Sequence, residues 1–390
     1  MIILGRPYVS DFILTTIRDN HYPLIATPEA REMISDPSLN WMSETDASTH
    51  LIRHPDTRIY TNSENTLSWL ETHAGSSKLL EQVRKFKNKV KFREMLADMY
   101  PAYAFRTAKL SELESLDPHG LNFPLMIKPA VGFFSIGVQR VDHEGEWNLA
   151  LAQLSDNLAG WQGTFPTGVI DTTEFILEDC IEGEEYAIDC YYDAEGQAVI
   201  LNILHHVFSS GKDVSDRVYT TSEQIFNQLK QRVQVFLEAM GTIGGLSSFP
   251  VHVEVRIDAE GRIIPIEVNP LRFGGWCTTG DLTWFAYGFN SYEYFFESRR
   301  PDWEQIFKSR KARKFSVVVL DNNSGLEENQ IRSFDYEMVS RDFEKVLQLR
   351  KVDFRRYGVF GFLFVETSDG NGKELSRILN SDLRKYIRKS

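Results

Sequence analysis

Cysteine is scarce in this chain: Cys180, Cys190 and Cys277 are the only three among 390 residues. They cannot all pair within one chain and none stands at metal-ligand spacing, so a reducing compartment, the cytoplasm, is the expected location. Long apolar runs are missing too. The longest, about residues 357–365, is interrupted by glycine and too short to cross a bilayer. The start, Met1 to Gly5, reads as a strand, without the basic region and apolar core of a signal peptide. Positive charge is in deficit. With 43 basic against 55 acidic side chains the net charge is -12, which argues against nucleic acid or an anionic membrane as partner. No P-loop or Rossmann glycine spacing occurs, and no low-complexity linker separates the units, which predicts one articulated body.

What is present supports real cores: 42% of residues are hydrophobic and 12% aromatic, enough for two or three packed units. Residues 2–4, 23–26 and 58–60 read as strands, with a helix from the capping Ser10 to Asn20 between the first two, so an α/β domain is expected over 1–90. A helical stretch from Lys91 runs to Pro101. A second unit over 91–180 follows, with strands at 125–128, 137–141 and 175–178 and a helix at 147–158. The third, 181–390, opens with strands at 184–192 and 197–204, a helix at 222–240 and a second hairpin, and ends with strands near 315–320 and 359–367 and a helix over 373–387.

That second hairpin carries the sharpest signal. In Val251 to Ile257 and Ile263 to Pro270 the apolar residues alternate with His252, Glu254 and Arg256 on one strand and Glu267 and Asn269 on the other. A turn centred on Glu260 and Gly261 puts Glu254 opposite Glu267, with Asn269 on the same face. Facing carboxylates repel, so the pair implies a cation, a shared proton or a basic neighbour, unless both acids simply face solvent. Glu, Glu and Asn oxygens suit a hard ion such as magnesium, which completes its octahedron with water and phosphate oxygens.

Two earlier segments fit a nucleotide. Lys128 ends an apolar strand and precedes a loop with Gly132, Ser135 and Gly137, whose amides can approach phosphates closely; Phe133 and Phe134 occupy its middle. Further on, Phe175 to Tyr186 gives a strand, a short polar connector and a second strand opening with acids, where backbone groups can meet an adenine edge and a carboxylate can take ribose hydroxyls.

In this order, from about Lys89 to Gly275, the set resembles the ATP-grasp superfamily. The resemblance implies an α/β (α+β) ATP-grasp fold: an N-terminal pre-ATP-grasp domain, a small central lid and a larger C-terminal catalytic subdomain. It implies that Lys89 and Lys128 contact nucleotide phosphates, with Lys87 and Lys91 as rivals for the early lysine. Glu178 becomes the hinge acid, Asp179, Cys180 and Ile181 the hinge backbone, and Glu185 the ribose acid. Glu254, Glu267 and Asn269 become the magnesium ligands, with manganese as the alternative ion. The family often has an arginine two residues after that asparagine; here Arg272 stands three after it.

The activity implied is ATP-dependent ligation of a small-molecule carboxylate, an amino acid among the candidates, to an amine through an acylphosphate. Arg272 would offset developing charge with Lys128, Arg217 would clamp the carboxylate, His205 or His206 would assist the amine, and Gly274 to Thr279 would form the site floor, with Trp276 either there or in the core. The alternatives are a carbamoyl-phosphate-forming relative acting on carbamate or bicarbonate, and a nucleotide-binding sensor without turnover.

Overall fold

The computed structural model describes residues 1–75, 77–132, 137–159, 171–209, 216–310, 312–322, 324–368, 370 and 372–389. Four two-residue strands, β1 (Ile2–Ile3), β2 (Leu24–Ile25), β3 (Trp41–Met42) and β4 (Tyr60–Thr61), form a parallel sheet in the order β3-β2-β1-β4. The helix after β1, Asp11–Asp19, starts where expected because the Ser10 side chain accepts from the Ile13 N–H. The edge strand β3 and the helix Glu44–Arg53 lie in a stretch whose sequence shows no clear periodicity.

A second four-stranded sheet joins β5 (Phe105–Lys109), β6 (Leu125–Val131), β7 (Gln139–Val141) and β8 (Asp171–Asp179) in the order β5-β8-β6-β7. Its own core contains Leu125, Ile127, Trp147, Leu154, Phe175 and Leu177. The larger sheet follows. Strands β9 (Glu184–Tyr192), β10 (Ala198–Val207), β11 (Val218–Ser222), β12 (Phe249–Ile257), β13 (Ile263–Pro270) and β14 (Arg313–Asp321) belong to it. After β15 (Ile331–Phe334), two further members, β16 (Val346–Lys351) and β17 (Val359–Ser368), complete the order β13-β12-β9-β10-β11-β14-β17-β16. A terminal strand, β18 (Ile387–Lys389), pairs with β15.

The helix Glu223–Gly244 buries Phe226, Leu229, Val233, Phe236, Leu237 and Met240 at helical spacing, packs on β10, and ends at Gly245 in the left-handed region. Both hairpins thereby join one sheet, as its position between them predicts. One continuous core runs from Ile2, Ile3 and Leu24 of the first sheet to Ile188, Val251 and Val253 of the large one. The expected closing helix is shorter than its pattern. It stops at Leu379, because Asn380, Ser381 and Asp382 offer competing side-chain hydrogen bonds and Leu383 turns left-handed (φ 58°). Among the described residues, no helix is long and apolar enough to cross a membrane.

Candidate functional site

Strand pairing sets the site. On one face of the large sheet, directly opposed residues form three rows across four strands: His206, Glu185 and Arg256; Leu204, Ala187, Glu254 and Glu267; and Asn202, Asp189, His252 and Asn269. The facing of Glu254 and Glu267 is as the sequence predicts. A bulge then shifts the register, so that Val255 meets Pro265 and Ile257 meets Ile263.

The charges in the middle row are unequal. Glu267 has Lys89 Nζ 3.0 Å away and accepts from Asn269 Nδ2 at 3.2 Å. Burial pushes the Glu267 carboxyl up, but Lys89 and Lys87 outweigh it and hold the group at about 2. Burial and the facing Glu267 instead raise the carboxyl of Glu254, whose neighbour is His252 Nε2 at 3.6 Å. His252 in turn meets Asp189 Oδ1 at 2.7 Å through Nδ1. Burial opposes charge on the imidazole, yet Asp189 and Glu254 raise it to about 9. Two carboxylates and an amide oxygen suit a hard cation that keeps water and phosphate ligands. Among the described residues no group of three or more His, Cys, Asp and Glu side chains is placed to hold a metal ion.

Lys89 and Lys87 both donate to the Gly132 carbonyl, at 3.4 and 3.1 Å, where the predicted phosphate loop begins. Lys91 is exposed. Of the three early lysines, Lys89 is therefore the one that joins this loop to Glu267. Ser135, Phe133 and Phe134 lie outside the described residues. Lys128 and Glu178 sit diagonally on the β6–β8 ladder, since Lys128 opposes Ile176 and Glu178 opposes Met126. Lys128 Nζ donates to Glu178 Oε1 and Arg93 Nε to Oε2, both at 2.7 Å. Glu178 is 3% exposed, and both of its oxygens are engaged by the two cations it positions.

In the hinge, the Asp179 carbonyl accepts from Tyr103 Oη at 2.9 Å and the Ile181 carbonyl from Arg256 Nη1 at 2.7 Å, while Cys180 N–H reaches the Pro124 carbonyl at 3.4 Å. Gly183 is required for the turn into β9: its φ is +116°, and a Cβ there would lie 2.2 Å from the Ile257 carbonyl oxygen. Glu185 then lies between its two cross-strand partners, His206 Nδ1 at 2.7 Å and Arg256 Nε at 3.0 Å. His205 points to the other face, as adjacent strand residues must, and pairs with Glu184 at 2.7 Å.

Arg272 is 9% exposed and reaches Glu64 Oε1 at 2.7 Å and its neighbour's carbonyl, Phe273 O, at 2.9 Å. Glu64 also pairs with Lys87. It belongs to the polar turn after β4, and only its position in space marks it as a site residue. Gly274 gives its N–H to Asp189 and Thr279, and a Cβ there would meet Thr279 Oγ1 at 2.3 Å. Trp276 packs edge-on to Tyr357 and against Phe362, both at 5.4 Å, and is 7% exposed, the core alternative of the two expected for it.

Arg217 corrects the sequence expectation. It is 2% exposed and pairs with Asp321 at 2.8 Å, while Nη1 donates to the carbonyls of Ile378 and Ser381. Its fork ties the residue just before β11 to β14 and to the end of the C-terminal helix, so in this arrangement the guanidinium is already engaged and is not an open carboxylate clamp. An arginine just before a strand carries no sequence signal that separates these roles. Residues 210–215 of the same segment lie outside the described residues.

Residues 121–280, which hold Lys128, the hinge, Glu185 and the facing carboxylates, match the family model for the ATP-grasp domain. The chain carries an ATP-grasp domain. Over its whole length the chain is similar to the L-amino acid ligase from Bacillus licheniformis, at 17% identity and a TM-score of 0.70, covering 100% of this chain and 98% of the other. It is also similar to N5-carboxyaminoimidazole ribonucleotide synthetase from Thermotoga maritima (14%, TM-score 0.63, 100% and 98% covered) and to biotin carboxylase from Campylobacter jejuni (11%, TM-score 0.63, 100% and 92% covered). At these identities the likenesses establish the ATP-grasp fold. No curated protein matches the sequence.

Proposed function

We propose that this protein is an ATP-dependent carboxylate–amine ligase that activates a small-molecule carboxylate, an amino acid among the candidates, and joins it to an amine. The observation that carries the reading is Glu254 facing Glu267, with Asn269 beside them and Lys89 bridging from Glu267 to the start of the phosphate loop. The similar structures include an amino acid ligase and complexes with ATP or ADP, which supports the same class.

In this reading Lys89 and Lys128 hold the phosphates, Asp179 to Ile181 the adenine edge and Glu185 the ribose. Glu254, Glu267 and Asn269 would hold magnesium, or manganese, which would supply charge neutralisation for the phosphates. A substrate carboxylate oxygen attacks the γ-phosphorus as the bond to the β-phosphate oxygen breaks, and ADP leaves. The amine nitrogen then attacks the acyl carbon, phosphate departs with the C–O electrons, and the nitrogen loses a proton. Arg272 lies beside the metal acids in sequence and space, and its cation offsets charge developing on the acylphosphate. No covalent protein nucleophile is needed. Buried Cys277, whose thiol is pushed up to about 12 by burial and by Asp281, fits that absence.

The reading divides the chain into a pre-ATP-grasp domain (1–90), a lid (91–180) and a catalytic subdomain with its extension (181–390), working in the cytoplasm on small molecules without nucleic acid or membrane. The test is a screen of amino acids and small carboxylic acids for ATP- and magnesium-dependent hydroxamate formation with hydroxylamine as amine. A hydroxamate specific to one acid is the expected result. ADP release without hydroxamate would move the reading to carbamate or kinase chemistry, and ATP binding without turnover for any acid to a sensor.

A further inference from the structure

We infer that Arg350, on β16 in the C-terminal extension, is a positioning residue for the Leu271–Cys277 segment and hence for the carboxylate end of the proposed site; this rests on the ligase reading. The segment is conformationally unusual at both ends. It leaves β13 through Leu271 (φ 61°) and closes with two consecutive left-handed residues, Trp276 (φ 59°) and Cys277 (φ 55°). Side-chain-bearing residues persist in that region only where their surroundings over-determine the backbone.

At the first end, Leu271 accepts from the Thr61 N–H through its carbonyl and donates its own N–H to the Pro250 carbonyl. At the second, the surroundings are Arg350. Its guanidinium is buried, 5% exposed, with Nη2 2.5 Å from Asp281 Oδ2 and Nη1 donating to the carbonyls of Cys277 and Trp276 at 3.3 and 3.5 Å. Phe364 supports the cation at 4.4 Å, and Tyr292 Oη fixes the other Asp281 oxygen at 2.6 Å. A carboxylate and two successive carbonyls are satisfied together by one rigid fork. A lysine, with its single nitrogen, cannot reproduce that pattern.

Arg272 sits inside the segment so held, five residues from its last member, and its aim depends on where the two ends are fixed. The proposed contacts to the nucleotide itself lie outside this segment, at Lys89 on the helix Lys89–Met95, Lys128 on β6, the connector after β8 and Glu185 at the start of β9. Arg350 therefore acts on one substrate and not the other. This gives the extension a task in the reaction: β16 and β17 brace the floor that carries Arg272, through Arg350 and through the packing of Phe362 on Trp276.

The experiment uses full-length wild type, Arg350→Lys and Asp281→Asn, assayed for ADP with the acid found in the hydroxamate screen, alongside melting with and without Mg·ADP. The expected result is a KM for the carboxylate raised roughly tenfold or more in both variants, while the KM for Mg·ATP and the melting shift on adding Mg·ADP stay within about twofold of wild type. Equal changes in both KM values, or an unchanged carboxylate KM, would overturn the inference. If Asp281→Asn fails to fold, Arg350→Lys alone decides. A wild type without carboxylate-dependent turnover overturns the ligase reading and this inference together, whereas carboxylate-dependent wild type with an unaffected Arg350→Lys overturns this inference only.

Discussion

Glu64, carried by the turn after the N-terminal parallel sheet, meets Arg272 at 2.7 Å across an interval of 208 residues. Its second oxygen takes Lys87, so one carboxylate neutralises two buried cations from different parts of the chain. Burial pushes the Lys87 amine well below its ordinary value, with Lys89 adding to the effect. Removing the shared acid leaves two buried cations without the carboxylate they contact. Glu64→Gln should destabilise the protein by about 3–5 kcal/mol, the range for breaking a buried pair, read from urea unfolding. A loss below about 1 kcal/mol would mean that these cations have other counter-charges.

For the facing carboxylates, stability and activity should move in opposite directions. Glu254→Gln removes a like-charge contact, so without metal it should be more stable than wild type by up to about 1 kcal/mol. Its magnesium-dependent turnover should fall roughly a hundredfold, about 2.7 kcal/mol of barrier. Magnesium should raise the melting temperature of the wild type and not of the variant. EDTA should abolish wild-type turnover.

Arg217 separates the structural role from the clamp read from sequence. Arg217→Ala strips Asp321 and two carbonyls of their partner, so a stability loss of about 3 kcal/mol or more is expected. The folded fraction should keep the wild-type KM for the carboxylate. A selective rise in that KM, with unfolding unchanged, would restore the clamp.

The Lys128–Glu178–Arg93 cluster makes a pH prediction. Burial raises the Glu178 carboxyl, but Arg93 and Lys128 outweigh it and hold the group far below its ordinary 4.5. A depressed folded-state value contributes stability that is full above the unfolded value and is lost as pH falls towards the folded one. The advantage of wild type over Glu178→Gln should therefore be constant from about pH 7 to 5 and shrink below about 4.5, as followed by unfolding at each pH. An advantage that grows on acidification would contradict the pairing.

Much of this was legible in residue order. Alternation and one glycine turn pointed to Glu254 facing Glu267, because side chains on a strand have a strict period of two and a hairpin has few registers. The histidines at 205 and 206 fell on opposite faces for the same reason. Spacing also placed Glu185 at a strand start, whereas Lys128, expected at the end of a strand over 125–128, lies in the middle of β6, which runs on to Val131. The observed turn register, Ile257 with Ile263, would by itself set Glu254 against Ile266, and a bulge restores the facing. The bulge after Glu254 was invisible, since Ile264, Pro265 and Ile266 offer no local signal for where the extra residue goes. The edge strand β3 was missed because two residues carry no measurable period.

Local pattern, then, determined which side chains share a face with their sequence neighbours, as in the hairpin acids, and where helices are capped. Only the tertiary structure decided which cations those acids meet. The sheet order brings β9 between β12 and β10, so Glu185 gains Arg256 and His206, and Asp189 gains His252. Glu64, Arg93 and Arg350 reach the site from separate elements, and Arg217 turns away from it. A charge says nothing of its partner until packing fixes the distance, because its interaction energy depends on separation and on the burial around it, and neither is a local property of the chain.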